Sequence, residues 1–256
     1  MNQIVIAHYK EPLTWVPKLL THVSPDIEWI MYEKDTYVRR RWKPLTRILP
    51  TERLLKSRDQ KYNKPYLDIL KRHFGANFKR RNRVNDGREG ETYLFHLIKT
   101  LASASKKPVE RVMFLQGNPT EHLSPEAFDD WPKRIAEALT TTGEFNPCGI
   151  YLVNDRKGNP WYPGLNWDED WERIVSLAQR HGLWFTEEPQ ISDQEVTSFI
   201  QGAQFCVDLR RLRKTPPTFW ADVRNLLLEG PIHGHRLERL WRYLLSVRHN
   251  SERATD

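Results

Sequence analysis

Three short, largely apolar runs constrain the fold most, because each fits a buried strand and is too short for a buried helix. They span residues 3–7, 27–32 and 112–115, and each run ends in polar residues. Stretches with apolar residues at helical spacing lie between them, at 13–20 and 92–102. Strands that alternate with helices predict an α/β fold whose mostly parallel sheet is flanked by helices.

The length of 256 residues suits one large domain. We predict a single domain over residues 1–250 and a flexible tail at 251–256. No run of eighteen apolar residues occurs and the first residues lack a signal-peptide pattern, so we expect a cytoplasmic protein without a membrane partner. Cys148 and Cys206 each lie in an apolar run, which favours reduced core thiols over a disulfide.

Positive charge is concentrated in residues 36–84, which hold 16 Lys and Arg against three Asp and Glu. We interpret this segment as a basic, partly helical insertion in the domain. Interleaved aromatic residues such as Trp42 would suit phosphate contacts combined with base stacking, so the segment favours a nucleic acid over a merely solvated insertion. The predicted nucleic-acid contacts are Arg39, Arg40, Arg41, Lys43, Lys79, Arg80 and Arg81.

Polar clusters follow the three predicted strands, at residues 8–11, 32–35 and 116–118. Ligands of open α/β sheets bind outside the carboxyl ends of the strands, so these clusters predict a binding site. The segment 85–89 (Asn-Asp-Gly-Arg-Glu) opens the helix before the third strand and adds an anion-binding helix start. A plain capped helix, with Asp86 as the cap, is the alternative interpretation.

The order of these motifs resembles an uncharacterised domain family of fungi and bacteria, which itself looks like a divergent GT-A glycosyltransferase. The similarity rests on the sequences AHYKE at 7–11, YEK at 32–34, GRE at 87–89 and FLQGNP at 114–119, with TYL at 92–94 between the last two. It covers most of the chain except residues 36–84, where the family has a much shorter connection.

The resemblance implies a nucleotide-sugar donor, with a UDP-sugar as the first candidate. Its implied donor-binding residues are His8, Tyr9, Glu11, Lys34, Arg88, Gln116, Gly117 and Asn118. GT-A enzymes usually hold a divalent metal, Mg or Mn, with an Asp-x-Asp motif, but this chain has Gln116-Gly117-Asn118 in its place. Neutral amides bind hard cations weakly, so metal dependence stays open, with His233 and His235 as candidate ligands.

Transfer to a hydroxyl group also needs a base and an acceptor surface. Asp208 follows a predicted buried strand and is the first candidate for the base, and Glu89 is the second predicted catalytic carboxylate, beside Arg88. Trp161 lies in an aromatic stretch that could stack on a sugar or a base, although core packing would explain it equally well.

These observations predict an enzyme that transfers a sugar from a nucleotide sugar to a hydroxyl group, with a modified base in DNA as the first acceptor considered. Two alternatives stay open. One is a glycosyltransferase with a small-molecule, lipid or protein acceptor, and the other is a non-catalytic nucleic-acid-binding module on a degenerate transferase fold.

Overall fold

The computed structural model describes residues 1–35, 50–84, 88–105, 107–121, 129–141, 145–146, 152–155, 167–189, 197–200, 204–228 and 233–255. Its strands are β1 (Asn2–His8), β2 (Glu28–Asp35), β3 (Phe78–Val84), β4 (Arg111–Gln116), β5 (Phe145–Asn146), β6 (Leu152–Asp155), β7 (Leu183–Phe185), β8 (Thr197–Ile200), β9 (Phe205–Asp208) and β10 (Val247–His249). Its α-helices are α1 (Val16–Leu20), α2 (Pro50–Phe74), α3 (Arg88–Leu101), α4 (Trp131–Ala138), α5 (Trp167–Arg180), α6 (Leu209–Leu212), α7 (Pro217–Leu227) and α8 (His233–Leu244).

The central sheet has six strands in the order β3-β2-β1-β4-β9-β5. Strands β3, β2, β1 and β4 are parallel, whereas β9 runs antiparallel to both β4 and β5. The predicted α/β class with a mostly parallel sheet flanked by helices is therefore confirmed.

Two apolar layers cover the two faces of the sheet, because alternate residues of each strand point to opposite sides. Ile4 and Ile6 of β1 face the layer that contains α1, α4 and the end of α2. Val5 and Ala7 face the layer built from α3, α5, α7 and α8. The helix leading into β4 thus lies on the opposite face from the helix that follows β1.

Strand β3 corrects the prediction that residues 36–84 form an insertion outside the sheet. Residues 78–84 pair with β2 in parallel register, from Trp29↔Phe78 to Asp35↔Val84. The strand lies at the edge of the sheet, where charged side chains prevent association with other strands. A basic run with one apolar residue at each end therefore forms a regular strand.

Three further predictions concern the C-terminal residues, the cysteines and the membrane. Residues 250–255, most of the predicted tail, form a 3-10 helix in which Glu252 pairs with Lys214 at 3.2 Å. Cys206 is a buried, free thiol as predicted, and burial raises its pKa to about 12, while Cys148 lies outside the described residues. Among the described helices, none combines the length and the apolar character needed to cross a membrane.

Candidate functional site

The carboxyl ends of β1 and β4 meet at the position where the strand order of the sheet reverses. Ala7 of β1 pairs with Gln116 of β4, and His8 pairs with Glu33 of β2. Ligands of open α/β sheets bind at such a reversal point. The loops at 8–11 and 116–118 therefore lie side by side at this carboxyl edge, as the sequence predicted.

Glu11 and Gly117 are the closest contact between these two loops. A Cβ atom built on Gly117 would lie far inside the 3.0 Å that real Cβ atoms keep from other heavy atoms, and the obstacle is the carboxylate of Glu11. Trp15 also donates from its indole nitrogen to the carbonyl oxygen of Gly117 at 2.9 Å. Glycine is required at 117 because the Glu11 carboxylate packs directly on its backbone.

The loop after β1 is held in one conformation by internal and long-range hydrogen bonds. His8 Nε2 donates to the carbonyl oxygen of Glu11 at 2.9 Å, and the backbone N–H of Tyr9 donates to Glu11 Oε2 at 2.5 Å. Lys10 adopts a left-handed φ of 60°, which a residue with a side chain takes up at a cost. His8 thus shapes the loop through its Nε2 atom.

Asn63 of α2 fixes this loop from outside and was not anticipated from the sequence. Its side-chain amide donates to the carbonyl oxygen of Glu11 at 3.0 Å, and its Oδ1 accepts from the N–H of Leu13 at 3.0 Å. Asn63 is buried, and it lies inside the segment that we had interpreted as an insertion. Part of the basic segment therefore supports the candidate site.

The pKa of the Glu11 carboxyl group is raised toward neutral pH. Burial raises its pKa to about 7, and the neighbouring carboxylates Glu89 and Glu121 add to the rise, while backbone hydrogen bonds, including that of Tyr9, oppose it. A carboxyl group with this pKa exchanges its proton near neutral pH, as a general base or acid must. No local sequence pattern predicts this pKa shift, because the shift arises from the packing of two loops and a helix.

The buried polar atoms that lack a hydrogen-bond partner among the described residues include Gln116 Nε2, the hydroxyl of Tyr93 and Gln204 Oε1 at this edge. Tyr93 lies on α3, with its ring 4.6 Å from that of Phe114. Burial raises its pKa, and so do the nearby carboxylates Glu89 and Glu11. Unpaired buried polar atoms are costly and cluster where a ligand can satisfy them.

Glu91 anchors the start of α3. Glu91 is 1% exposed and forms ion pairs with Arg83 of β3 and with Arg224 of α7, the latter at 2.6 Å. Arg83 also stacks on Phe95 at 3.5 Å from the ring centre. Glu89 lies in the same first turn of α3, close enough to Glu11 to raise its pKa.

The remaining predicted donor contacts occupy the same edge. Lys34 is buried near the end of β2. Asn118 accepts from Thr120 Oγ at 2.8 Å, and Gln204, which the sequence did not single out, donates to the carbonyl oxygen of Pro119 at 3.0 Å. The side chain of Arg88 lies outside the described residues, although its backbone begins α3.

Asp208 lies at the opposite, amino edge of the sheet, so the structure does not bring the predicted catalytic base to this site. The strand that carries it is antiparallel, and Asp208 pairs in register with Arg111, the first residue of β4. Its carboxylate accepts from Arg210 at 3.0 Å and lies 3.6 Å from Arg111. These contacts, chiefly the hydrogen bond from Arg210, lower its pKa, which suits a structural ion pair and not a base.

The predicted nucleic-acid contacts that the structure describes are partly neutralised. Lys79 forms an ion pair with Glu28, and Arg80 Nε donates to Glu33 at 3.1 Å. Arg81 packs on Tyr32 on the face that carries α3, with its guanidinium 6.0 Å from the ring centre. The predicted contacts Arg39, Arg40, Arg41, Lys43 and Trp161 lie outside the described residues.

No group of three or more His, Cys, Asp or Glu in the described part of the chain is arranged to hold a metal ion. The side chains of His233 and His235 lie outside that part, and β4 ends in neutral amides. We therefore derive no chemical step through a metal.

The carboxyl edge thus combines a proton-exchanging carboxyl group, a glycine that lets two loops touch, and unpaired polar atoms at the point of strand reversal. Similarity to known proteins adds nothing to this geometry. A scan against protein-family models gave no match, and a search of curated proteins also found none.

Proposed function

We propose that this protein is a glycosyltransferase that moves a sugar from a nucleotide sugar, a UDP-sugar in the first instance, to a hydroxyl group. The observation that carries the proposal is Glu11, whose pKa of about 7 is found at the strand-reversal edge, against Gly117. Glu11 replaces Asp208 as the base that removes the proton of the acceptor hydroxyl.

Glu11 suits this role because its basicity and its position are both fixed. A base acts best when its pKa lies near the working pH, and burial supplies that pKa here. The Tyr9 N–H donates to Glu11 Oε2 and holds the carboxylate in one orientation. A carboxylate held in one geometry needs little reorganisation when the proton moves.

The donor part of the proposal rests on side chains that surround Glu11. Gln116 Nε2 and the Tyr93 hydroxyl are unsatisfied donors that a ribose or diphosphate oxygen would satisfy. Lys34 and Arg88 are the cations proposed to offset the charge of the leaving diphosphate. Tyr9 and Asn118 complete the proposed donor contacts in the two loops.

The proposal for the acceptor rests on other observations than the proposal for the donor. Two of these observations favour different classes of acceptor. The concentration of Lys and Arg in residues 36–84 favours DNA with a modified base hydroxyl, which the enzyme would have to extrude from the duplex. The ion pairs of Lys79 and Arg80 favour a small-molecule, lipid or protein acceptor, because they remove free charge from part of that segment.

A thermal-shift screen against UDP-, GDP- and CDP-sugars tests the donor. A ligand at 100 times its Kd stabilises the native state by about 2.7 kcal/mol, which shifts Tm measurably. We expect a UDP-sugar to raise Tm, and Arg88→Ala to weaken its binding by about 1.5–3 kcal/mol. If none of the nucleotide sugars raises Tm, the proposal fails.

The pH dependence of turnover tests Glu11. A base must be unprotonated, so kcat/KM should rise with pH through about 7, the pKa of Glu11. Glu11→Gln should remove this rise and lower kcat by about 10²- to 10⁴-fold. Glu187→Gln, a substitution of an exposed glutamate, is the matched control and should leave the profile unchanged. An unaltered profile in Glu11→Gln would assign the base elsewhere.

A further inference from the structure

A second concave site lies at the opposite, amino edge of the sheet, on the face that carries α3. This cleft has a volume of about 550 Å³. Five cationic side chains line it: Lys79 and Arg81 of β3, Lys99 near the end of α3, Lys107 in the following loop, and Arg213 after α6. We refer to it as the basic cleft.

The positive charge of the basic cleft is largely uncompensated. Glu28 is the single carboxylate in its lining, and it is already paired with Lys79 and accepts a hydrogen bond from Gln3. Within the described residues, no carboxylate lies within 4.0 Å of the cationic groups of Arg81, Lys99, Lys107 or Arg213. Desolvation and the nearby charges of Arg81 and Lys79 lower the pKa of Lys99, which shows that the cations repel one another.

The floor of the basic cleft is polar, neutral and preformed. His96 is buried there, and burial lowers its pKa to about 3, so it carries no charge at neutral pH. Its Nε2 donates to Gln3 Oε1 at 2.9 Å, and its Nδ1 accepts from the Tyr32 hydroxyl at 3.1 Å. The ring of Tyr32 in turn supports Arg81. A floor locked in this way loses little conformational entropy when a ligand binds.

We propose that the basic cleft binds a small, multiply charged anion of the polyphosphate class, either inorganic or as the phosphate chain of a nucleotide. Several cations spread over one cleft complement the linked negative charges of a polyphosphate better than they complement a ligand with a single carboxylate. The volume lies in the range of small-molecule sites. The site lies at the edge opposite Glu11, so it is independent of the proposed transferase site.

Calorimetric titration of the full chain with tripolyphosphate at low salt tests this proposal, with Lys99→Glu as the variant. Lys99 is an exposed residue near the end of α3, so the substitution should leave the fold intact, as circular dichroism would verify. Lys71→Glu is the control, because Lys71 is exposed on α2 at the opposite face and the net charge changes equally. We expect at least tenfold weaker binding in Lys99→Glu and less than a twofold change in Lys71→Glu.

A second arm compares ATP with tripolyphosphate, to distinguish the two sources of the phosphate chain. Tighter binding of ATP would identify a nucleotide, and equal binding would identify the phosphate chain alone; both results support the site. Three results would overturn it: no binding of either ligand to the wild type, equal loss in both variants, or duplex DNA bound at Lys99 that tripolyphosphate does not displace.

Discussion

The two edges of the central sheet differ in the charges that surround one titratable side chain. At the carboxyl edge, burial is the main cause that raises the pKa of Glu11 to about 7, and the carboxylates of Glu89 and Glu121 add to the rise. At the amino edge, desolvation is the main cause that lowers the pKa of Lys99, and the charges of Arg81 and Lys79 add to the fall. The difference teaches that one sheet can gather carboxylates around a carboxyl group at one edge and cations around an ammonium group at the other, because the strands keep the two groups apart.

One basic run in the sequence supplies side chains with three different roles. Arg83, near the end of β3, forms an ion pair with Glu91 at the carboxyl edge, which neutralises its charge. Arg80 points to the other face and pairs with Glu33. Lys79 and Arg81 face the basic cleft. A charge count along the sequence therefore overstates the positive surface that a single polyanion could use.

The largest expected effect is on the ion pairs of Glu91, which hold the start of α3 at the carboxyl edge. Glu91→Ala leaves Arg83 and Arg224 without their shared buried partner, so we expect the free energy of unfolding to fall by about 3–5 kcal/mol. Urea unfolding followed by tryptophan fluorescence measures this change.

Glu187→Ala is the matched control for that measurement, because Glu187 and Arg242 form a pair in which each side chain is 47% exposed. Exposed pairs contribute at most about 1 kcal/mol. An equal loss of stability in both variants would show that the carboxyl edge is not organised around Glu91.

The next effect concerns the contact between Glu11 and Gly117. The added methyl group of Gly117→Ala overlaps the Glu11 carboxylate, and overpacking of this kind costs about 1–3 kcal/mol. Glu11→Ala opens space for that methyl group, so the double variant should be more stable than the sum of the two single effects predicts.

A double-mutant cycle of unfolding free energies measures this coupling, which we expect to be about 0.5–3 kcal/mol. Additive effects of the two substitutions would mean that the loops do not touch in solution. The carboxyl edge would then lack the geometry on which the proposed base depends.

The sequence predicted the sheet interior well, because β1, β2 and β4 contain short apolar runs that fit a buried strand and are too short for a buried helix. It did not predict β3, whose edge position allows Lys79 to Arg83 to be charged. It also misplaced Asp208, because the antiparallel sense of β9 reverses the edge at which the strand ends, and strand sense has no local signature.

The loops of the candidate site were predicted from the sequence, but the residues whose hydrogen bonds hold those loops were not. The clusters at 8–11 and 116–118 follow apolar runs, so their common edge followed from the topology of parallel strands. Asn63 acts on a loop 50 residues away and Gln204 on a carbonyl 85 residues away. Such hydrogen bonds depend on tertiary packing, as does the pKa of Glu11, and a local sequence pattern does not encode them.

The smallest expected effect concerns the repulsion within the basic cleft. Lys99→Gln removes one of several like charges, so it should raise the free energy of unfolding at low salt, by less than about 0.5 kcal/mol for so exposed a group. The gain should vanish near 1 M NaCl, where screening acts over about 3 Å. Tripolyphosphate should reverse the order of stability, because the wild type binds it more tightly than the variant does.

Chemical unfolding at two salt concentrations, with and without tripolyphosphate, measures all three effects, and Lys71→Gln controls for the change in net charge. If Lys99→Gln and Lys71→Gln behave alike under every condition, the two edges do not differ in the way that their charges imply.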